Sequence, residues 1–234
     1  MGRLALVGGH SILDSEFAAG ARRVDVDVAD STVAVLDAGD HVVLQRHGLD
    51  RYTAAHAVDH RANLRALAQL GCDRIVALSS VGGLRPELGV GTFLAPDDFI
   101  ALHLGLSFFD DDPGHRVPGF DAAWRERVVQ VWSQHVDLRS RGVYWQTIGP
   151  RFETPAEIRL LAVHADVVGM TVASECVLAG ELGIAYAAVC VVDNLANGVG
   201  SAPLTVDEFE AGKAANRSRL LAALDVVLPE LAEA

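Results

Sequence analysis

Three short segments combine glycine with hydroxyl, imidazole or guanidinium side chains, which are groups that bind an oxyanion. They are GGHS at residues 8–11, QRHG at residues 45–48 and SSVGG at residues 79–83. Glycine lets backbone N–H groups approach an anion closely, and Arg46 beside His47 could supply a fork of donors to a phosphate. Each segment alone is also typical of an ordinary turn. Together the three segments predict one anion site built from several loops.

Three later segments carry groups that could bind a flat heterocycle or line a site. In GPRFETPAE at residues 149–157, Phe152 could stack on a ring and Glu153 could accept hydrogen bonds from ring N–H groups. VVDN at residues 191–194 ends an apolar run with Asp193 and Asn194, which either face a site or cap a turn. The third segment is VGMT at residues 168–171, with Glu175 four residues further on.

The charge balance excludes two classes of partner. The chain has 19 Lys and Arg against 31 Asp and Glu, a net charge of −12, and Lys213 is its only lysine. Nucleic acid and anionic membranes both require clustered positive charge, so we expect neither as a partner. The P-loop and GxGxxG patterns are missing, so neither a nucleoside triphosphate nor NAD is the expected ligand. Three widely spaced cysteines, Cys72, Cys176 and Cys190, predict reduced thiols and no metal site.

Short runs rich in β-branched residues alternate with longer segments of helical periodicity, which predicts an α/β fold. The predicted strands are Leu4–Val7, Val24–Val28, Val33–Leu36, Val42–Gln45, Arg74–Leu78, Gly142–Thr147, Val167–Met170 and Ile184–Val192. The predicted helices are Asp59–Leu70, Asp121–His135, Ser174–Leu182, Val206–Leu228 and one that begins after Thr154. Capping boxes at Thr154 and Thr205 mark two helix starts, and Pro229 is expected to end the last helix. Without a linker or a repeat, residues 1–234 are expected to form one domain.

The apolar runs are short. The amino-terminal run before Gly8 is too short for a signal sequence, and the longest uncharged apolar stretch, Leu182–Val192, is too short to span a membrane. We therefore expect a soluble, cytoplasmic protein.

Five stretches, in this order and spacing, resemble the family of trimeric purine nucleoside phosphorylases and methylthioadenosine phosphorylases. They are HRANLRAL, LSSVGGLRPELGVGTFLAPDDFI, GPRFETPAEIRLL, ADVVGMTVASE and VVDNLANG. The resemblance implies a single α/β domain with a central mixed, partly barrel-like sheet flanked by helices. It also implies a homotrimer with sites near subunit interfaces, no metal or cofactor, and inorganic phosphate as co-substrate. The implied reaction is phosphorolysis of a nucleoside to a free purine and a sugar 1-phosphate.

The same resemblance implies a role for each matching position. The phosphate site is expected to contain His10, Ser11, Arg46, His47, Ser79, Ser80 and Thr171. The purine site is expected to contain Val81, Gly82, Phe152, Glu153, Asp193 and Asn194. The ribose site is expected to contain Met170, Thr205, Val206 and His115, the last contributed by the neighbouring subunit. Asn194, His47 and Glu153 carry the catalytic roles, with Asn194 donating to the purine as negative charge develops near its N7.

Substrate choice depends on the residues at the purine end and at the sugar end of the site. Asn194 and Glu153 match the 6-oxopurine branch of the family, because an amide can donate to a 6-oxo group and to N7. The small or apolar residues at Thr205 and Val206 favour a methylthio group at the sugar 5′ position. Inosine, guanosine and 5′-methylthioinosine are therefore the expected substrates.

Two alternative functions remain open at this point. They are a methylthioadenosine phosphorylase, and a non-catalytic nucleoside-binding homologue, because His10 and Asp193 replace a hydroxyl and a Thr that are usual in the family. A nucleoside hydrolase would require an Asp-rich calcium site, of which the sequence has no pattern.

Overall fold

One mixed β-sheet runs through the part of the chain that the computed structural model describes, which is residues 2–10, 12, 17–200 and 204–233. Its strands are β1 Arg3–Gly8, β2 Arg22–Val28, β3 Ser31–Asp37, β4 His41–Gln45, β5 Cys72–Gly83, β6 Phe93–Leu94, β7 Asp98–Ile100, β8 Leu138–Arg139, β9 Val143–Gln146, β10 Val167–Gly169 and β11 Ala185–Leu195. The α-helices are α1 His60–Gln69, α2 Ala122–Trp132, α3 Pro155–Leu161, α4 Val172–Glu181 and α5 Val206–Ala232. The predicted α/β fold with a central mixed sheet is confirmed.

Four parallel strands form the centre of this sheet and bring the predicted loops together. Strand β1 pairs with β4 and with β5, and β5 pairs with β11, all in parallel. Gly8 at the end of β1 lies opposite Gln45 at the end of β4, and Ser80 in β5 lies opposite Val191 in β11. Because the carboxyl ends of parallel strands meet at one edge of a sheet, the three glycine-containing segments converge there, where open α/β sheets bind ligands.

Helices cover both faces of the sheet. Helices α1 and α4 pack on one face through buried residues that include Leu64 and Leu178, and α2 and α5 pack on the other through Val128 and Leu224. Alternate residues of β11 belong to the two layers, as the two-residue period of a strand requires. The central strands are therefore buried on both faces, which explains why they are almost continuously apolar.

A β-bulge interrupts the pairing of β11 with β5. Val192 lies opposite Val81 and Asn194 lies opposite Gly82, so that Asp193 is the additional, unpaired residue. Such a bulge changes the direction in which neighbouring side chains point. Asp193 and Asn194 follow each other directly at the edge of the sheet that carries the predicted loops.

The sequence missed or misplaced a few elements. Strands β6, β7 and β8 have only two or three residues, too few to show a periodicity. The prediction that Pro229 ends the last helix is wrong, because α5 continues to Ala232. Pro229 lies in the last turn, and continuing the helix buries Leu231 completely beside Leu228. We infer that this burial offsets the hydrogen bond that proline cannot donate. No helix of the described residues has the length and apolar character needed to cross a membrane.

The turn of α5 beyond Pro229 is expected to contribute to stability. Leu231→Ala removes a fully buried side chain and should lower the free energy of unfolding by about 2–5 kcal/mol, measured by urea denaturation. Val226→Ala, on the same helix but 42% exposed, is the matched control and should change it by less than about 1 kcal/mol. Equal effects of the two substitutions would show that this turn is not packed as described.

Candidate active site

A cleft of about 910 Å³, measured out to open solvent, lies at the carboxyl ends of β1, β4, β5 and β11. Most residues that the sequence assigns to an active site line it: His10, Arg46, His47, Ser79, Ser80, Val81, Gly82, Phe152, Glu153, Met170, Thr171 and Asn194. The loops that are far apart in sequence therefore form one surface, as the strand order requires. Among the described residues, no group of three or more His, Cys, Asp or Glu side chains is arranged to hold a metal ion.

Several predicted site residues do not line this cleft. Asp193 is 1% exposed and is turned towards α5, so its expected place at the purine edge is wrong. Thr205 caps α5, accepting a hydrogen bond from the Glu208 backbone at 3.2 Å, and Val206 is 64% exposed. Neither residue lines the cleft, so these two ribose assignments are also wrong in this structure. Leu204 lines the cleft instead, and Val206 lines a neighbouring depression beside Phe209.

Two further assignments have a different status. Ser11 lies outside the described residues. The His115 side chain is 84% exposed, next to a short 3₁₀ turn at Asp112–Gly114, and does not line the cleft of its own chain. Its entry into the site of a neighbouring subunit stays a prediction.

The Arg46 guanidinium forms a buried ion pair. Its Nε and Nη2 donate to the two carboxylate oxygens of Glu175 at 2.6 and 3.0 Å, and both side chains are 1% exposed. Nη1 donates to the Leu78 carbonyl at 2.7 Å, and Nη2 also reaches the Val7 carbonyl at 3.4 Å. Burial is the largest single influence and lowers the pKa of Arg46. The charge of Glu175 and its hydrogen bonds, with smaller contributions from Tyr186 and Tyr144, together outweigh burial, so the pKa is raised.

The two-pronged side of the Arg46 fork is therefore occupied by Glu175, and a contact from Arg46 to phosphate stays a prediction. Guanidinium has five N–H donors, and four are used inside the protein, which leaves the second hydrogen of Nη1 for a ligand. The backbone of Gly9 passes so close to this nitrogen that a Cβ at position 9 would clash with it. Glycine is thus required at position 9 for the loop to pass over the arginine.

His47 lines the cleft as a neutral imidazole. Its Nδ1 lies 2.8 Å from the Thr53 carbonyl, which can only accept, so Nδ1 carries the hydrogen and Nε2 keeps a lone pair. Burial, followed by the positive charge of Arg46, lowers the pKa of His47 to about 3. The expected donation from His47 to phosphate therefore requires that the ring first take up a proton.

Aromatic rings form one wall of the cleft beside His47. The His10 ring lies 4.3 Å from that of His47, and its Nε2 is 3.0 Å from the Tyr52 hydroxyl. Tyr52 stacks on His47 with ring centres 5.4 Å apart. Phe209, in the first turn of α5, contacts His10 edge-on at 5.8 Å and Phe152 at 6.0 Å. This wall encloses the part of the cleft next to the glycine loop.

The two serines of SSVGG differ in their partners. Ser79 is 3% exposed and its hydroxyl interacts with the buried Tyr144. Ser80 is half-buried, and its Oγ donates to Oδ2 of Asp193. The second oxygen of Asp193 accepts from Nδ2 of Asn216 in α5 at 2.7 Å. The carboxylate of Asp193 thus stands behind the serine that lines the cleft.

Polar groups on the opposite side of the cleft are held in fixed positions. Thr147 Oγ1 donates to Oε1 of Glu153 at 2.6 Å, and Asn197 holds the Glu153 backbone carbonyl at 3.0 Å. Asn194 Nδ2 donates one hydrogen to the Leu195 carbonyl at 2.9 Å, and its amide lies against Gly82. One Glu153 oxygen and the remainder of the Asn194 amide are left to bind a ligand.

The loop that leads into this side contains a cis peptide bond between Gly149 and Pro150. Gly149 has a φ of +71°, and the sulfur of Met170 fills the space that a Cβ at position 149 would need. Met170 thus packs on the backbone of Gly149 and lines the cleft.

Comparison with known proteins decides the family. A family model described as the phosphorylase superfamily matches residues 14–229. The chain belongs to this superfamily. The family resemblance inferred from the five sequence stretches is confirmed.

The relatives of this chain include proteins named as 6-oxopurine nucleoside phosphorylases and proteins named as S-methyl-5'-thioinosine phosphorylases. A probable 6-oxopurine nucleoside phosphorylase of Archaeoglobus fulgidus is 36% identical, over 84% of this chain and 83% of that protein. A 6-oxopurine nucleoside phosphorylase of Pyrococcus furiosus is 34% identical over 89% and 85%. A probable S-methyl-5'-thioinosine phosphorylase of Methanocaldococcus jannaschii is 33% identical over 88% and 83%.

Solved structures share the fold of this phosphorylase-superfamily chain. Methylthioadenosine phosphorylase from Schistosoma mansoni in complex with adenine matches with a TM-score of 0.75 at 24% identity, over 100% of this chain and 96% of that one. A mutant of the Schistosoma mansoni adenosine/methylthioadenosine phosphorylase, in complex with methylthioadenosine, matches with a TM-score of 0.73 at 25% identity, over 97% and 92%.

Sequence reasoning missed part of the cleft of this phosphorylase-superfamily chain. Gly9, Pro150, Val168 and Gly169 lie in the short segments that the sequence singled out, whereas the lining residues outside those segments are Tyr52, Ala55, Ala196, Leu204 and Phe209. The sequence could have indicated Tyr52 as a site residue, since it is the only Phe, Trp or Tyr in the loop after QRHG. The sequence gives no such indication for Phe209, because an aromatic residue in the first turn of a helix is usually a core residue.

The low pKa of His47 predicts a pH dependence of stability. Between pH 6.5, the ordinary value, and about 3, the unfolded chain binds a proton that the folded chain does not. The free energy of unfolding should therefore fall as pH falls through this window, with a contribution of up to about 1.4 kcal/mol per pH unit from His47. Urea denaturation of the wild type and of His47→Gln should show a shallower decline in the variant. His164→Gln, at an exposed position, should leave the decline unchanged; equal slopes for His47→Gln and the wild type would contradict the assignment.

Proposed function

We propose that the chain catalyses phosphorolysis of a 6-oxopurine nucleoside, with inorganic phosphate as co-substrate and no further cofactor. The products are the free purine and ribose 1-phosphate, or 5-methylthioribose 1-phosphate when the substrate is 5′-methylthioinosine. The observation that carries the proposal is the cleft in which Asn194, Glu153 and Phe152 face the glycine and serine loops. The names of the relatives support the same reaction.

The geometry suits a mechanism based on position and electrostatics. Phosphate binds by the glycine loop and by Ser79 and Ser80, the sugar lies over Met170, and the purine lies between Phe152 and Gly82. Phosphate is already an anion and needs no general base, so the protein has only to hold it below the anomeric carbon. As the glycosidic bond breaks, the Asn194 amide donates to the purine, where negative charge develops, and this contact strengthens in the transition state.

Glu153 supports the choice of a 6-oxopurine. Such a base carries an N–H on its six-membered ring, which a carboxylate can accept, and Thr147 holds one Glu153 oxygen so that the other can face the ring. Asn194 keeps one Nδ2 hydrogen besides the one given to Leu195, and it can donate this hydrogen to the 6-oxo group or to N7. A carboxylate at position 194 would accept from the amino group of a 6-aminopurine but could not donate to a 6-oxo group.

The sugar side of the cleft is apolar. Leu204 and Phe209 line it, in the segment where Thr205 and Val206 were expected. An apolar wall suits a methylthio group better than a hydroxyl, because an unpaired hydroxyl there would lose its hydrogen bonds to water. We therefore place 5′-methylthioinosine first among the substrates, before inosine and guanosine.

A homotrimer in the cytoplasm, working in purine salvage, completes the proposal. Three exposed apolar residues, Leu102, Ile148 and Leu160, surround a depression that shares Glu153 with the cleft. An exposed apolar surface of this kind is typical of a protein interface. The buried, unpaired cysteines Cys72, Cys176 and Cys190 suit a reducing compartment.

Release of free base tests the proposed reaction. With phosphate, 5′-methylthioinosine, inosine and guanosine should release their bases faster than methylthioadenosine does, and omission of phosphate should stop release. Asn194→Ala should lower kcat by about 10²-fold or more, since it removes a donor to the leaving group. Asn63→Ala, on α1 outside the cleft, is the control and should retain full activity. Release that is independent of phosphate would indicate hydrolysis, and binding without release would indicate a non-catalytic homologue.

Sedimentation velocity tests the trimer. Leu160→Glu places a charge in the middle of the exposed apolar surface and should shift the protein from trimer to monomer. Val90→Glu, at a 52% exposed position away from this surface, should leave the trimer intact. A wild-type protein that sediments as a monomer at micromolar concentration would exclude this arrangement.

A further inference from the structure

The carboxylate of Asp193 is buried directly behind the cleft, where a dianion is proposed to bind. It is the unpaired residue of the β11 bulge, and it is 1% exposed. Its Oδ2 accepts the Ser80 hydroxyl and its Oδ1 accepts Nδ2 of Asn216 at 2.7 Å. The same Asn216 nitrogen also donates to the Val192 carbonyl at 3.1 Å, so the amide orientation is fixed by two acceptors. Both oxygens of Asp193 are therefore assigned as acceptors.

This arrangement determines what Ser80 can offer to a ligand. A hydroxyl has one hydrogen, and Ser80 gives it to Asp193. Its Oγ then presents only lone pairs to the cleft. A phosphate dianion also presents lone pairs, so the two oxygens repel. With Asp193 ionised, Ser80 opposes the binding of phosphate.

A proton on Oδ2 of Asp193 reverses this pattern. The carboxylic acid then donates to Ser80 Oγ, and the Ser80 hydrogen turns to the ligand. The contact with Asn216 is unchanged, because Oδ1 still accepts. One proton thus converts Ser80 from an acceptor into a donor without moving any heavy atom.

The charged groups around Asp193 largely cancel one another, so they do not prevent this carboxylate from taking up a proton. On α5, Lys213 favours the ionised carboxylate and Glu210 opposes it, and the two form an ion pair with each other at 2.6 Å. On the β4 side of the cleft, Arg46 is neutralised by Glu175 and His47 is neutral. Burial is the largest influence on Asp193, and it raises the pKa of the carboxyl group above its ordinary value.

We propose that Asp193 is a proton-linked positioning residue, and that phosphate binds when Asp193 takes up one proton from solvent so that Ser80 can donate to the anion. The inference rests on the proposed function, because it requires phosphate in the cleft. Asp193 does not touch the substrate and acts through Ser80. Phosphate affinity should therefore decline with rising pH, by up to about tenfold per unit above the pKa of Asp193 in the free protein.

Asp193→Asn reproduces the protonated state at every pH. Its Oδ1 can accept from Asn216 while its Nδ2 donates to Ser80, which leaves the Ser80 hydrogen for phosphate. The KM for phosphate in nucleoside phosphorolysis should rise with pH in the wild type more steeply than in Asp193→Asn. The ionisation of phosphate itself affects both proteins equally and cancels in the ratio. The KM for the nucleoside should not follow this ratio, which separates the effect from a general structural defect.

Two variants complete the design. Ser80→Ala removes the hydroxyl, so Asp193→Asn should no longer alter the pH dependence when it is made in the Ser80→Ala background. Asp225→Asn makes the same chemical change at an exposed position of α5 and should keep the wild-type profile.

Calorimetry supplies a readout that does not depend on turnover or on the folding of Asp193→Asn. Inorganic sulfate is a dianion that carries no proton of its own between about pH 6 and 8, so any proton uptake on binding comes from the protein. Sulfate is titrated into each protein in two buffers of different ionisation enthalpy, which gives the number of protons taken up on binding. The wild type should take up close to one proton more than Ser80→Ala.

The outcomes separate the two proposals. Parallel pH profiles for the wild type and Asp193→Asn, together with equal proton uptake in the wild type and Ser80→Ala, overturn the role of Asp193 alone. Base release that does not depend on phosphate, together with no heat from phosphate or sulfate, overturns the proposed function and this inference with it. A steeper wild-type profile that Ser80→Ala abolishes supports both.

Discussion

The ion pair between Arg46 and Glu175 is the interaction on which the architecture of the cleft depends. Arg46 follows β4, its guanidinium binds carbonyls of β1 and β5, and Glu175 comes from α4. Tyr186 of β11 adds a hydrogen bond to Glu175 at 2.7 Å. One cation thus joins four strands and a helix at the point where the strands end. Removal of either partner would leave a buried charge unpaired, which typically costs about 3–5 kcal/mol.

The use of Arg46 in this pair changes how the cleft can hold an anion. A chain with a net charge of −12 offers no general attraction to phosphate, and the arginine nearest to the site is already neutralised. His47 is held neutral by burial beside that same arginine. The groups left to bind an anion are backbone dipoles and hydroxyl groups. Protons that the protein takes up when the ligand binds can add to them. Binding then depends on proton positions more than on fixed charge, which is a common reason for pH-sensitive affinity.

Sequence reasoning succeeded where a local pattern determines structure. The apolar runs predicted the central strands, and glycine and hydroxyl residues at their ends predicted the loops of the cleft. It failed where the outcome depends on a distant partner. Nothing in QRHG indicates that the Arg46 fork binds Glu175, which lies 129 residues away. Likewise, Asp193 and Asn194 look equivalent as neighbours at a strand end, but a bulge and α5 give them different partners. Pro229 was misjudged because burial of Leu231 is a tertiary effect.

The bulge at Asp193 has a consequence for how this strand tolerates change in length. In a regular strand, side-chain direction alternates, and the loss of one residue turns every following side chain to the opposite face. Here the extra residue sets where Asn194 stands against Gly82. Replacement of Asp193 by another residue keeps that register, whereas its deletion would shift Asn194 and Ala196 out of the cleft together. A residue at position 193 is thus needed for Asn194 and Ala196 to reach the cleft, independently of what its carboxylate does.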